Sequence, residues 1–140
     1  MSTVMVLVCA LELLGRSAAA LPPIELVAGP PPGVAANVEA FVRAGSGVIS
    51  LVTSTETFEE ARRSECRTYD AVAKVASIVA HEEWHVVHGA DERGAYEVQL
   101  ATLVRLGVSV TSRVFAGVMR SMQVVLDSQP PHGAVAGARR

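Results

Sequence analysis

Residues 68–89, TYDAVAKVASIVAHEEWHVVHG, form the most regularly patterned stretch of the sequence. Apolar residues recur there at the spacing of one helix stripe: Val72, Val75, Ala76, Val79 and Val86. Other apolar side chains lie on the remaining faces, so we expect this helix to be surrounded by other elements. Gly89 is typical of a residue that ends a helix. We therefore predict a central helix from about Thr68 to His88.

The same helix carries the segment His81-Glu82-Glu83-Trp84-His85, which has the pattern HExxH. Two histidines four residues apart lie on one helix face, so both imidazoles can bind a single zinc ion. Glu82 follows the first histidine and can take a proton from a water molecule at the metal without being a ligand. The sequence thus predicts His81 and His85 as zinc ligands and Glu82 as the catalytic base.

A third ligand is expected nearby, because the chain turns at Gly89 and acidic residues follow the turn. On a helix that begins near Asp91, Glu92 shares one face with Gln99, whereas Glu97 lies well around the cylinder. Asp91 has a competing use as the helix N-cap. We predict Glu92 as the third ligand, with Glu97 and Asp91 as alternatives, and a fourth position open for water.

His88 lies about 10 Å along the helix axis from His81, which is too far for a third ligand on the same stripe. We expect it to interact with the last carbonyls of the helix. A peptidase also needs a hydrogen-bond donor for the oxyanion that forms during peptide hydrolysis. Tyr96, Tyr69 and His88 are the candidates, and both tyrosines could equally be core residues with a bonded hydroxyl.

The HExxH segment, followed by Glu92-Arg93-Gly94-Ala95-Tyr96, resembles the HExxH and ExxA motifs of small gluzincin-type metallopeptidases. That resemblance implies a zincin fold, peptide hydrolysis, zinc bound by His81, His85 and Glu92, and Glu82 as the base. The gap between the two motifs is much shorter than in most gluzincins. Residues 81–106 also resemble short uncharacterised bacterial proteins described only as zinc peptidases.

The rest of the chain predicts further helices and one strand. The strand candidate is Val48–Thr53, which is rich in β-branched residues and could form an edge on which an extended peptide pairs. The helices are expected from Val34 to Gly45, from Thr55 or Thr57 to about Cys66, from Asp91 to Gly107, and from Val110 to before Pro130. We predict a mainly helical α+β fold in which the active-site helix packs on further helices beside one short strand or small sheet.

The prolines and the chain ends define the predicted domain limits. Residues 21–33 contain Pro22-Pro23 and Pro30-Pro31-Pro32 and indicate a linker or extended entry segment. The zincin-like domain is expected over residues 34–127, and residues 128–140 are expected to form a disordered tail.

Residues 1–20 contain an apolar run followed by Ser17-Ala18-Ala19-Ala20, which resembles a secretory signal with a small-residue cleavage site. The alternative is a buried strand or helix start. The signal reading favours a secreted or periplasmic protein over a cytoplasmic one. The run is too short for a transmembrane helix, which needs about 20 apolar residues. Cys9 lies in this segment and Cys66 in the body of the chain, so no disulfide framework remains if the segment is removed.

Composition excludes some function classes. Only 4% of the 140 residues are aromatic and the net charge is -2, which disfavours nucleic-acid binding. The expected partner is a peptide or protein substrate, and a second protein could supply a missing wall of the cleft. The competing interpretations are a non-catalytic zinc-binding domain, for which Glu82 would have no use, and a metal-free helical interaction module that presents Met119 and Met122.

Overall fold

The computed structural model describes residues 1–129, so the predicted tail falls outside the described residues except for Ser128 and Gln129. Five α-helices, three short strands and one 3-10 turn make up this part of the chain. In chain order they are α1 (Thr3–Leu14), the 3-10 turn (Ala18–Ala20), β1 (Ile24–Val27), β2 (Ala40–Val42), β3 (Ile49–Val52), α2 (Glu56–Arg63), α3 (Tyr69–His88), α4 (Glu92–Arg105) and α5 (Arg113–Asp127). The prediction of a mainly helical α+β fold is confirmed.

Helix α3 is the centre of the molecule, because it packs against the four other helices and against β2 and β3. Its residues from Ala71 to Glu82 are almost all buried, including both polar residues at the end of that run, His81 and Glu82. The helix ends at His88, and the Gly89 N–H bonds back to the His85 carbonyl. The predicted limits of the central helix are therefore correct to within one residue.

Helix α1 belongs to the same core. Val6, Ala10, Leu11 and Leu14 are buried and cluster with the apolar face of α3. Arg16, just past the helix, donates two hydrogen bonds of 3.0 and 2.8 Å to the Glu83 carboxylate on α3. A disulfide joins Cys9 on α1 to Cys66 beyond α2. Within residues 1–129 none of the helices combines the length and the apolar character that crossing a membrane requires.

The three strands form one small sheet in the order β1-β3-β2. Strand β3 is central, pairs in parallel with β1 and antiparallel with β2, and all four of its residues are buried. The prediction of a strand near residues 48–53 is confirmed, but the expectation that it forms a substrate-binding edge is wrong. The free edge on the side of α3 belongs to β2, which contacts that helix.

The structure differs from two sequence predictions around the prolines. Residues 21–33, expected to be a linker or an extended entry segment, contain β1, which pairs in parallel with β3. Pro23 has no N–H to donate, and its carbonyl accepts a hydrogen bond from the Ile49 N–H. The expected helix from Val34 to Gly45 is instead two turns followed by β2. Pairing with β3 outweighs the helical spacing of its apolar residues. The folded core therefore begins at α1 and not at residue 34.

The disulfide should contribute measurably to stability, since it joins residues 57 positions apart in the sequence. Chain-entropy arguments assign a cross-link of this length about 4 kcal/mol. We expect Cys9→Ser/Cys66→Ser to lower the free energy of unfolding in urea by about 2–4 kcal/mol. Reductant should reproduce this loss in the wild type and leave the double variant unaffected. Equal stability of the two proteins would show that α1 is held by packing alone.

Candidate metal centre

Three side chains from two helices converge where the buried part of α3 ends. His81 and His85 project from successive turns of α3, and Glu92 projects from the first turn of α4. The Oε1 atom of Glu92 lies 3.3 Å from the Nε2 atom of His81 and 3.1 Å from the Nε2 atom of His85. One oxygen therefore faces two ring nitrogens at nearly equal distances.

The remaining nitrogen of each ring has its own partner. The Nδ1 atom of His81 lies 2.8 Å from the Oε1 atom of Gln99, and the Nδ1 atom of His85 lies 2.7 Å from the Gly89 carbonyl oxygen. Both partner atoms are oxygens that can only accept a hydrogen bond, so each Nδ1 carries the proton. This arrangement leaves the Nε2 atom of each ring facing Glu92, and histidines whose other ring nitrogen is oriented in this way are usual at metal sites.

Gly89 supplies its carbonyl from a conformation that other residues rarely adopt. Its φ of 95° and ψ of -154° lie in a region that is accessible essentially only to glycine. The sequence predicted that Gly89 ends this helix, and its conformation differs from the left-handed one that is common at helix ends. The observed conformation turns the chain so that the carbonyl faces His85 and α4 can start three residues later.

The charges of the three groups depend on each other. Burial lowers the pKa of His85, but the hydrogen bonds to Glu92 and to the Gly89 carbonyl outweigh burial and raise this pKa to about 9. Burial raises the pKa of Glu92, but hydrogen bonds from His81 and His85 outweigh it and lower this pKa to about 2. The Glu92 carboxylate therefore stays ionised and stabilises a positive charge beside it. That charge can be carried by a proton on the histidines or by a metal ion.

The donor set fits zinc. Two ligands at about 2.0–2.1 Å from a tetrahedral zinc ion are about 3.3 Å apart. The two nitrogen–oxygen separations measured here are 3.1 and 3.3 Å, and all three donor atoms lie within 4.8 Å of one another. Two imidazoles and one carboxylate are also the ligand set of known catalytic zinc sites. His81, His85 and Glu92 could therefore hold a zinc ion with little rearrangement.

Glu82 lies beside this cluster without belonging to it. Its Oε2 atom is 3.7 Å from the Nε2 atom of His81, and its side chain is only 9% exposed. Burial raises the pKa of Glu82, although the positive charges of His81 and His85 oppose that effect. The carboxyl group is close enough to the metal position to reach a water molecule there.

Close contact between Trp84 and Gly94 sets the distance between α3 and α4. A Cβ atom added to Gly94 would lie 2.2 Å from the Trp84 ring, so no side chain other than hydrogen fits at this position. His88 stacks on the Trp84 ring at a centroid distance of 4.5 Å. The close contact between Trp84 and Gly94 brings the first turn of α4, and with it Glu92, up to the two histidines.

The structure separates the other predicted candidates from the cluster. Asp91 accepts a hydrogen bond from the Arg93 N–H as the N-cap of α4, and Glu97 is exposed. His88 is exposed and bonds to the Trp84 carbonyl, as predicted for a histidine at a helix end. Tyr69 lies at the other end of α3, about 18 Å before His81 by helix rise, and its hydroxyl donates to the Leu106 carbonyl. Tyr69 therefore cannot serve as an oxyanion donor.

A cavity of about 1300 Å³ opens over the cluster. Its lining includes residues 39–43 around strand β2 and several residues of α5 between Gly117 and Val125. His81, Glu82, His85 and Glu92 line the same cavity. Tyr96 also lines the cavity, with its ring centroid 4.6 Å from the centroid of the His81 ring, and burial raises the pKa of Tyr96 to about 12.

Sequence reasoning assigned no role to three features of this site. Gln99 was placed on the same helix face as Glu92, but its hydrogen bond to His81 was not predicted. Gly94 gave a signal, since a glycine inside a helix is unfavourable and indicates close packing. The hydrogen bond between the Gly89 carbonyl and His85 could not be predicted from the sequence, because every residue has a carbonyl and only the backbone geometry directs it.

Comparison of the chain with protein-family models, curated proteins and solved structures gave no match in any of the three. Inference about function therefore depends on the geometry of the site.

The Gly89 conformation gives a test of the site that does not need a substrate. We expect Gly89→Ala to weaken zinc binding by about tenfold, because alanine moves the carbonyl that orients His85. Gly107→Ala is the matched control, since Gly107 also has a positive φ, 84°, after a helix and lies away from the cluster. Zinc affinity is measured by competition with a chelator. Equal losses in both variants would mean that the effect is general strain.

Proposed function

We propose that the protein is a zinc-dependent hydrolase that cleaves peptide bonds. The observation that carries this proposal is the convergence of two Nε2 atoms on one Glu92 oxygen, with a fourth polar group, Glu82, at the same place. A metal that only stabilises the fold needs neither a buried carboxyl group beside its ligands nor a large cavity above them. Both features favour a catalytic site over a structural one.

Each residue has a defined role in this proposal. His81, His85 and Glu92 hold the zinc ion, which when bound would supply the Lewis acidity that polarises a carbonyl group and a water molecule. Glu82 accepts a proton from the attacking water and later gives it to the leaving amine, while the water oxygen bonds to the carbonyl carbon and the carbon–nitrogen bond breaks. The low exposure of Glu82 keeps bulk water from competing for that proton.

Tyr96 is the best placed of the three candidate oxyanion donors. It lines the cavity and touches His81, whereas His88 is exposed and Tyr69 lies at the opposite end of α3. With a pKa of about 12 its phenol stays protonated at neutral pH and can donate a hydrogen bond. We assign to Tyr96 the stabilisation of charge that develops on the substrate oxygen.

The substrate backbone pairs with strand β2. The Val52 N–H bonds to the Glu39 carbonyl, so residue 39 faces β3. Alternation along an antiparallel strand then points the N–H and C=O groups of Ala40 and Val42 to the free side. Strand β2 lines the cavity, so an extended peptide can pair with its free side as a further strand of the sheet. The substrate is therefore an extended segment of a peptide or protein.

We also propose that the protein works in an oxidising compartment. The Cys9–Cys66 disulfide supports this location, since such bonds persist mainly in secreted, periplasmic and other extracytosolic proteins.

The first experiment measures bound zinc by elemental analysis. We expect one zinc ion per chain in the wild type and a loss, or at least a tenfold weakening, in His85→Ala and Glu92→Gln. Glu97→Gln removes the same charge from an exposed position on the same helix and should keep the zinc. A wild-type protein that binds no zinc after reconstitution with the metal would refute the proposal.

The second part of that experiment separates catalysis from binding. Glu82→Gln should keep one zinc ion but lose peptide hydrolysis by at least about a hundredfold, because the base is gone. Glu83→Gln is the matched control, since Glu83 bonds to Arg16 away from the cluster. Equal peptide hydrolysis by the wild type and Glu82→Gln would refute the role of Glu82 as the base, and no hydrolysis by either protein would leave a zinc-binding domain without peptidase activity.

The proposed substrate strand is tested by Val42→Pro. Proline removes an N–H on the free side of β2 and leaves the ladder to β3 intact, so zinc content should not change while kcat/KM for peptides falls by about tenfold. Val42→Ala shortens the side chain but keeps the N–H and should retain most activity. Similar activity of the two variants would exclude backbone pairing at Val42.

A further inference from the structure

A fully buried chain of hydrogen bonds runs from His81 into the interior between α3 and α4. Gln99 is 4% exposed and Ser77 is 0% exposed. The Nδ1 atom of His81 lies 2.8 Å from the Oε1 atom of Gln99, and the Nε2 atom of Gln99 lies 3.2 Å from the Ser77 hydroxyl. The Ser77 hydroxyl in turn donates to the Lys74 carbonyl over 2.7 Å.

The chemistry of these groups fixes the direction of the chain. A backbone carbonyl can only accept, so the Ser77 proton points to Lys74 and the Ser77 oxygen remains as an acceptor. The atom of Gln99 that faces Ser77 must then be the amide nitrogen, which turns the amide oxygen towards His81. An oxygen opposite Nδ1 favours a proton on that nitrogen, so a metal ion that takes the place of a proton beside Glu92 would find the lone pair of Nε2 available.

The reversed amide would have the opposite effect. If Gln99 turned its nitrogen to His81, Nδ1 would have to accept and the proton of a neutral ring would move to Nε2. A protonated Nε2 cannot bind a metal ion. The reversal also requires the Ser77 hydroxyl to give up the Lys74 carbonyl, so the intact chain disfavours it.

We propose that Ser77 and Gln99 are positioning residues that hold His81 in the tautomer with a metal-binding Nε2. This inference rests on the proposed zinc site but not on peptide cleavage. It assigns a role to Ser77, which touches neither the metal position nor the cavity and acts only through the orientation of Gln99.

The first variant is Ser77→Ala, which removes the hydroxyl that orients the amide. We expect zinc affinity, measured by competition with a chelator, to fall by about tenfold, the range typical of partners behind a metal ligand. Thr102→Val is the matched control, because the Thr102 hydroxyl is also buried and donates to the backbone of its own helix, but has no contact with His81. It should leave zinc affinity unchanged.

A second variant distinguishes orientation from packing. In Ser77→Ala/Gln99→Glu the carboxylate can only accept, so it holds the Nδ1 proton of His81 without help from Ser77. We expect zinc affinity to return to within about threefold of the wild type. If Ser77 mattered only for packing, the buried carboxylate would weaken binding further, and that result would overturn the proposal.

Nitrogen NMR spectra of histidine-labelled protein read the tautomer directly. In the metal-free protein, at a pH where the ring is neutral, Gln99 draws the His81 proton to Nδ1 and the Glu92 carboxylate draws it to Nε2. The share of the proton on Nδ1 should therefore be clearly smaller in Ser77→Ala than in the wild type. An unchanged tautomer in Ser77→Ala, together with unchanged zinc affinity, would refute the role of Ser77. Failure of the wild type to bind zinc would instead refute the proposed function, and the spectra would still decide the tautomer.

Discussion

The site depends on one carboxylate oxygen shared by two imidazoles. Glu92 can occupy this position only if α4 starts within a few residues of the end of α3 and lies close to it. The unusual backbone conformation of Gly89 allows α4 to start close to the end of α3, and the contact between Gly94 and Trp84 brings the two helices close together. The carboxylate in turn requires a cation between itself and the rings. A proton on His85 meets that requirement in the absence of a metal ion, so the folded geometry and the metal-binding geometry are nearly the same.

Placing histidines and a glutamate in the buried or half-buried part of a central helix is costly unless each polar atom has a partner. The structure provides Gln99 of α4 and Ser77 of α3 as partners behind His81, and the Gly89 carbonyl as the partner behind His85. Among residues 1–129 no buried side-chain nitrogen or oxygen lacks a hydrogen-bond partner. The hydrogen-bond partners that offset the cost of burial also fix the orientation of both rings. The same interactions therefore stabilise the core and orient the candidate ligands.

Local patterns in the sequence predicted the central helix, its end at Gly89, the helices on either side and the residues that converge. These features depend on helical spacing, capping and short turns, which act within a few residues. Strand β1 and strand β2 were missed because their stability comes from β3, a partner distant in sequence for both. The free edge of the sheet was assigned to the wrong strand for the same reason, since strand order cannot be read from a single strand. The pairing of Glu92 with the histidines was predictable only because the turn between the helices is so short.

The position of β2 explains how a small chain can provide a cleft. Strand β3 lies in the middle of the sheet, so the loop before it can place β2 on the outer side, in contact with α3. Lys74 on α3 holds this strand through an ion pair of 3.2 Å with Glu39, and its carbonyl receives the Ser77 proton. The same turn of α3 therefore holds strand β2 and anchors the chain of hydrogen bonds to His81. One helix thus positions both the strand that lines the cavity and the ring of His81.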